Sequence, residues 1–200
     1  MAVTNNAHIV AVMGGTGSGK STFIKREINR LKPKRLIIFD VMHEYSDHGQ
    51  AVKLCGALAQ LAKAKTFSLI FQPSSASIKE QFNYVCKLAF ALGDCMLVVE
   101  ELNRVTQATK APPNWQDCTS RGRHKGLMIY GASQRPAGVD KDFFSNATKI
   151  RSGRLNFAAD IKTLANVLKV KTNDIDSLKP LEFIEREMAT GKITRGKLTF

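Results

Sequence analysis

Ile9-Val10-Ala11-Val12-Met13-Gly14-Gly15-Thr16-Gly17-Ser18-Gly19-Lys20-Ser21-Thr22 is the stretch on which the fold turns. Its first five residues are apolar without a break, as in a strand buried on both faces. Gly14 to Ser21 then fit G-x-x-x-x-G-K-[S/T] at every position. Glycines let the backbone curl so that successive N–H groups face inward onto phosphate oxygens. A helix starting near Lys20 turns the positive end of its dipole toward the same oxygens. The Lys20 ammonium reaches β- and γ-phosphates, and the Ser21 hydroxyl is a ligand for Mg²⁺. ATP and Mg²⁺ are therefore the expected cofactors. Gly15, Thr16, Gly17, Ser18, Gly19, Lys20, Ser21 and Thr22 form the expected cradle, with Thr22 at the α-phosphate.

Working outward, residues 20–31 read as a helix, with Phe23, Ile24, Ile28 and Leu31 near one face and Pro33 just past its end. Leu36–Phe39 and Phe67–Phe71 read as strands, and Ala57–Lys65 as a helix between them. Ile78–Leu92 is the clearest amphipathic helix, through Phe82, Val85, Leu88 and Ala89. Cys95–Val99 and Leu127–Ala132 are continuous apolar runs, hence central parallel strands, with a polar helix or loop over Trp115–Lys125. Asp140–Ser145 and Asp160–Leu168 are expected helices. The alternating tail Phe183–Phe200, turning near Thr190-Gly191, is an expected hairpin of about residues 181–200. Strands alternating with helices predict one α/β domain over 1–200: a mostly parallel sheet with helices on both faces and a C-terminal β-hairpin.

Leu97-Val98-Val99-Glu100-Glu101 puts two carboxylates at the C-terminal end of an apolar strand, the edge that faces the ligand crevice in a parallel sheet. Glu100 is assigned to the metal and Glu101 to the attacking water. Many proteins with this arrangement carry Asp at the first position; the extra methylene of Glu100 favours contact with the metal through water. Gln134 ends a strand parallel to the acidic one, so its amide reaches the same crevice, where it can both donate and accept. Arg123 precedes Gln134 by the length of a strand. It belongs at the opposite sheet edge, too far for its own nucleotide and suited to a neighbour's, as an arginine finger acting in trans. Arg121 is the reserve candidate.

The chain carries 30 Lys+Arg against 17 Asp+Glu, a formal net charge of +13. That balance favours a polyanionic partner, because phosphates shed counterions when cations neutralise them. With 44% hydrophobic and 24% charged residues, the composition excludes a disordered chain. Cys55, Cys86, Cys95 and Cys118 are too scattered for a zinc site and read as reduced. No leader and no membrane span are expected, so the protein is not expected to be secreted.

Three further stretches resemble the FtsK–HerA class of DNA-translocating ATPases. Asp40-Val41-Met42-His43-Glu44-Tyr45 is similar to a segment often written D-P-x-G-E-Y, with Val-Met-His in place of Pro-x-Gly. Arg121-Gly122-Arg123-His124-Lys125-Gly126, an apolar strand and Ser133-Gln134-Arg135-Pro136 resemble the class order of basic segment, strand and S/T-Q-R-P. Thr194-Arg195-Gly196-Lys197-Leu198-Thr199-Phe200 resembles its basic terminal strand. The resemblance implies a RecA-like P-loop NTPase fold, a homo-oligomeric ring (a hexamer) and double-stranded DNA as partner. A bare core of this length looks like the packaging ATPase of tailless, internal-membrane icosahedral viruses. That implies a place in the host cytoplasm or at the packaging vertex of the virion, with capsid or viral membrane proteins supplying attachment. Lys25-Arg26, Arg30, Lys32, Lys34-Arg35, Lys149, Arg151, Arg154, Lys162, Lys169 and Lys171 are candidate DNA contacts, and Thr106–Pro113 a candidate mobile loop facing a channel; Trp115 reads as packing. The rivals are a cellular or plasmid translocase of the same class and a nucleoside or nucleotide kinase with Asp40 as base.

Overall fold

The computed structural model describes residues 7–199. Phe200, the expected end of the hairpin, and residues 1–6 of the expected leaderless N-terminus lie outside the described residues. The chain runs β1 (His8–Met13), α1 (Lys20–Leu31), β2 (Arg35–Phe39), β3 (Gln50–Val52), α2 (Cys55–Leu61), β4 (Phe67–Phe71), α3 (Ile78–Leu92) and β5 (Met96–Val99). It continues through α4 (Pro113–Arg121), β6 (Met128–Ser133), α5 (Lys141–Asn146), β7 (Lys149–Ser152), α6 (Ala158–Leu168), α7 (Thr172–Asp176), β8 (Glu182–Glu187) and β9 (Ile193–Lys197). These strands form one sheet in the order β3-β4-β2-β5-β6-β1-β7-β8-β9, parallel from β3 to β7 and antiparallel through β8 and β9.

The apolar runs form the middle of this sheet because every residue of β5 is buried, as are all but the first of β1 and of β2. A strand covered on both faces has no polar face to alternate with. One layer of core packs α3, α4 and α6 on one face; the other packs α1 through Ile24 and Ile28. On α3 the buried stripe is Phe82, Val85, Cys86 and Ala89, with Leu88 only half-buried. Each such large side chain contributes about 1.5–3 kcal/mol by leaving water. Helix α1 ends at Lys32 in the left-handed conformation, one residue before Pro33.

Several elements depart from expectation. Helix α2 starts at Cys55 and stops at Leu61, two to four residues ahead of the reading. Strands β3 and β7 and helix α7 had no sequence signal. Strand β7 matters most: Lys149-Ile150-Arg151-Ser152 holds one aliphatic residue, yet it pairs with β1 on one side and β8 on the other. Arg151 is buried there because its guanidinium lies 4.3 Å from the Phe23 ring centroid and 3.4 Å from that of Phe183, and donates to Glu185 at 3.1 Å. Stacking and pairing offset its desolvation.

Candidate nucleotide site

Strand β1 delivers the loop Gly14–Gly19 onto the start of α1. Gly19 is the helix N-cap at φ 86, a left-handed conformation open to glycine, and no side chain caps the first amides of α1. The first intrahelical bond runs from the Phe23 N–H to the Gly19 carbonyl. The preceding N–H groups of the helix have no carbonyl one turn back and point out of its end. Ser18 tucks its side chain between Gly14 and Gly153; a Cβ on Gly14 would meet its hydroxyl at 2.4 Å, and one on Gly153 would meet its Cβ at 2.8 Å. The Gly14 amide donates to the Ser133 carbonyl at 3.2 Å and the Gly15 amide to that of Arg154 at 2.7 Å, so β6 and the end of β7 brace the loop. The Lys20 ammonium donates to the Gly15 carbonyl at 3.2 Å. Burial lowers its pKa, opposed by the charges of Glu101, Glu100 and Glu44.

Strand β6 lies between β1 and β5. The acids therefore stand about two strand spacings, roughly 10 Å, from the loop. Gln134, at the end of β6, spans that gap. Its carbonyl accepts from the Thr16 hydroxyl at 2.9 Å and its amide donates to Glu101 at 2.7 Å. Glu101 sits at φ 52, a strained conformation for this residue, two residues past the end of β5. Below Gln134, the Ser133 hydroxyl donates to Asn103 at 2.7 Å, and the Arg135 amide donates to the same hydroxyl oxygen at 3.0 Å. Arg135 in turn pairs with Asp160 at 2.8 Å, a carboxylate 1% exposed that also accepts the Ala137 amide, and stacks on Phe157.

Glu100 is 2% exposed, and burial pushes its pKa up to about 7, against the hydrogen bond that it accepts from the Tyr45 hydroxyl. Its charged form is thus disfavoured until a cation balances it. Among the described residues no three His, Cys, Asp or Glu side chains cluster as a free-standing metal centre. Mg²⁺ keeps several waters and takes one or two carboxylates beside substrate phosphates. The unpaired end of α1, the Ser21 hydroxyl and a buried carboxyl poised to ionise fit a Mg²⁺–nucleotide.

Asp40, the base of the kinase alternative, is 0% exposed and both its oxygens are taken, by the amides of Glu44 and Tyr45 at 3.1 Å each. Buried at 0% exposure and committed to holding the turn, it offers no face to a substrate hydroxyl, which counts against that alternative. Its grip orders the turn that follows. Glu44 then accepts from the Ser21 hydroxyl, a contact that sequence reasoning missed although Glu44 lies in a recognised segment. His43, where the class pattern has Gly, adopts φ 58, so the glycine-like turn is kept without glycine.

Arg123 lies in a 3-10 turn before β6, exposed, at the sheet edge away from the phosphate loop; its nearest polar partner is His124 at 3.4 Å. Arg121 pairs with Asp117 at 2.5 Å. Of the expected basic contacts, five are engaged internally: Arg151 as above, Lys149 with Glu185 and Glu187 at 3.0 Å, Arg35 with the carbonyls of Lys65 and Leu92, Arg30 with Glu27 at 2.8 Å and Arg26 with the Thr199 carbonyl. The candidate channel loop Thr106–Pro113 contains a tight turn closed by reciprocal Gln107–Lys110 bonds of 2.8 and 3.0 Å, and the Lys141 amide donates to the Ala108 carbonyl at 3.3 Å. Trp115 is fully buried with its indole N–H on Asp140 at 3.1 Å, a packing residue as read. Cys86, Cys95 and Cys118 are buried free thiols. No helix among the described residues is long and apolar enough to cross a membrane.

The model of the family described as "Helicase HerA, central domain" matches residues 6–110, the half that holds the phosphate loop, Glu44 and both acids. Protein P9 of Pseudoalteromonas phage PM2 is 30% identical over 177 residues, covering 84% of this chain and 78% of P9. The genome packaging NTPase B204 of Sulfolobus turreted icosahedral virus 2, solved with ATP-gammaS, superimposes with a TM-score of 0.81 over 100% of both chains at 17% identity. VirB4 of Thermoanaerobacter pseudethanolicus does so at 0.72 over 96% of this chain and 89% of that one, at 12% identity. The last two are likenesses of fold; with the phosphate loop, the paired acids and the matched family pattern, the chain belongs to the HerA central-domain family of FtsK–HerA P-loop NTPases.

Proposed function

We propose that this protein is an ATPase that drives double-stranded DNA into a preformed viral capsid, working as a homo-oligomeric ring, a hexamer, at a packaging vertex. The observation that carries the hydrolytic part is the relay Thr16–Gln134–Glu101 across the mouth of the phosphate loop. Lys20 and the amides of residues 15–22 hold the triphosphate. Ser21 and Glu100 would hold Mg²⁺, which would supply neutralisation of the phosphate charge. Glu101 accepts the proton of a water in line with the terminal phosphate, and Gln134 keeps that carboxylate turned toward the loop. Glu101 is 6% exposed, so few waters compete for it.

The packaging assignment is supported by the description of B204 as a genome packaging NTPase and by the phage origin of P9. The net charge of +13 favours a DNA partner, and exposed Lys32, Lys34, Arg154, Lys162, Lys169 and Lys171 remain available to phosphates. Capsid or viral membrane proteins supply attachment at the vertex, and the host cytoplasm is the site of assembly. The test is ATP hydrolysis measured with and without duplex DNA over a range of protein concentrations. Turnover per subunit is expected to climb with concentration as rings form, and to climb further with DNA. A flat rate insensitive to both would describe an enzyme that works alone and would overturn the motor reading.

A further inference from the structure

Consecutive residues of one turn contact the two groups assigned to the metal. Asp40 holds the amides of Glu44 and Tyr45, and from that fixed turn the side chains diverge. Tyr45 runs inward, fully buried, and donates to Glu100. Glu44 stays at the surface and accepts from Ser21. Glu44 also belongs to the charge field around Lys20, together with Glu100 and Glu101.

We propose that Glu44 is a positioning residue that makes nucleotide binding conditional on the metal, by holding the Ser21 hydroxyl and by setting a further negative charge beside the phosphate cradle. A bare triphosphate entering the loop meets that carboxylate as a like charge at short range. The same charge attracts the complex in which a divalent cation covers the phosphates. Glu44 therefore selects against free nucleotide, and selection of this kind comes from an unfavourable contact with the wrong ligand as much as from a favourable one with the right ligand. Because Ser21 donates its proton to Glu44, its oxygen lone pairs stay free for a cation, and Glu44 fixes the direction in which they face. The inference rests on the nucleotide-site reading above.

The experiment is equilibrium binding of a fluorescent methylanthraniloyl-ADP to the full chain, in EDTA and in excess Mg²⁺, with no hydrolysis involved. The readout is the ratio of the two affinities. Glu44→Gln is expected to tighten binding in EDTA and to shrink the ratio by about tenfold. Glu44→Asp, with the charge kept and the reach shortened, is expected to stay close to the parent ratio. Lys20→Ala is the control: unchanged binding in both buffers would remove the nucleotide-site reading itself. Loss of binding in Lys20→Ala, with an unaltered ratio in Glu44→Gln, would overturn the Glu44 inference alone. Thermal unfolding of each variant separates a binding effect from misfolding, and Glu44 is exposed, so a folded variant is expected.

Discussion

His43 carries the least expected conformation in the site. At φ 58 it takes the left-handed form in which a side chain crowds its own carbonyl, at about 1–2 kcal/mol. The Asp40 carboxylate compensates, because its two bonds to Glu44 and Tyr45 require the chain to double back there. His43→Gly should therefore stabilise the protein. Relief of strain exceeds the extra chain entropy of glycine by about 0.5–1 kcal/mol, which for a chain this long raises Tm by about 1–4 °C. Calorimetry that finds a lower Tm would show that the imidazole makes a contact worth more than the strain. The pattern of D-x-x-x-E-Y was legible along the chain; that histidine would adopt the glycine conformation was not, since φ at one residue depends on what its neighbours bond to.

Among the elements, the hairpin β8–β9 is tied to the phosphate-binding helix as well as to the sheet edge. Leu181 and Leu198 lie within 3.3 Å of where a Gly19 Cβ would stand, Arg26 donates to the Thr199 carbonyl, and Arg151 joins the Phe23 ring of α1 to the Phe183 ring of β8. Arg151→Ala removes both stacking contacts and leaves Glu185 with Lys149 as its remaining cation. The expected loss is about 3 kcal/mol of unfolding free energy, read from the urea midpoint. Arg151→Lys should recover less than half of it, because an ammonium has no plane to lie between two rings. Full recovery by lysine would mean that charge alone holds the hairpin. The alternation that predicts β8 and β9 is local, so the hairpin and its Thr190-Gly191 turn were readable. Strand β7, which attaches it, was not: four residues with two cations look like surface until Phe23 and Phe183 close over them.

For the molecule as a whole, the position of Arg123 bears on the head-to-tail ring proposed above. It stands at the end of the sheet opposite the phosphate loop, separated from Gln134 by β6, about 20 Å of strand. It cannot serve its own nucleotide, and a head-to-tail arrangement brings such an edge to a neighbour's loop. Arg121 is already paired with Asp117, which favours Arg123 as the finger. Mixing Arg123→Ala with Lys20→Ala subunits, each inactive alone, should restore part of the ATPase activity, because some interfaces then join an intact loop to an intact arginine. A mixture as silent as its components would remove the role in trans.

Properties set by neighbours along the chain were readable from the residues in order: the curl of Gly14–Gly19, the charge of Lys20, the apolar strands and the acids that follow β5. The backbone and its nearest side chains determine these with no help from afar. The insertion of β6 between β1 and β5 was of another kind. Thr16, Gln134 and Glu101 meet although 118 and 33 residues separate the bonded pairs, and Ser21 meets Glu44 across 23. Strand order is chosen by how whole apolar faces pack, a property of the assembled sheet. The phosphate chemistry was therefore written in the sequence, whereas the wiring of the acids to the loop came from folding.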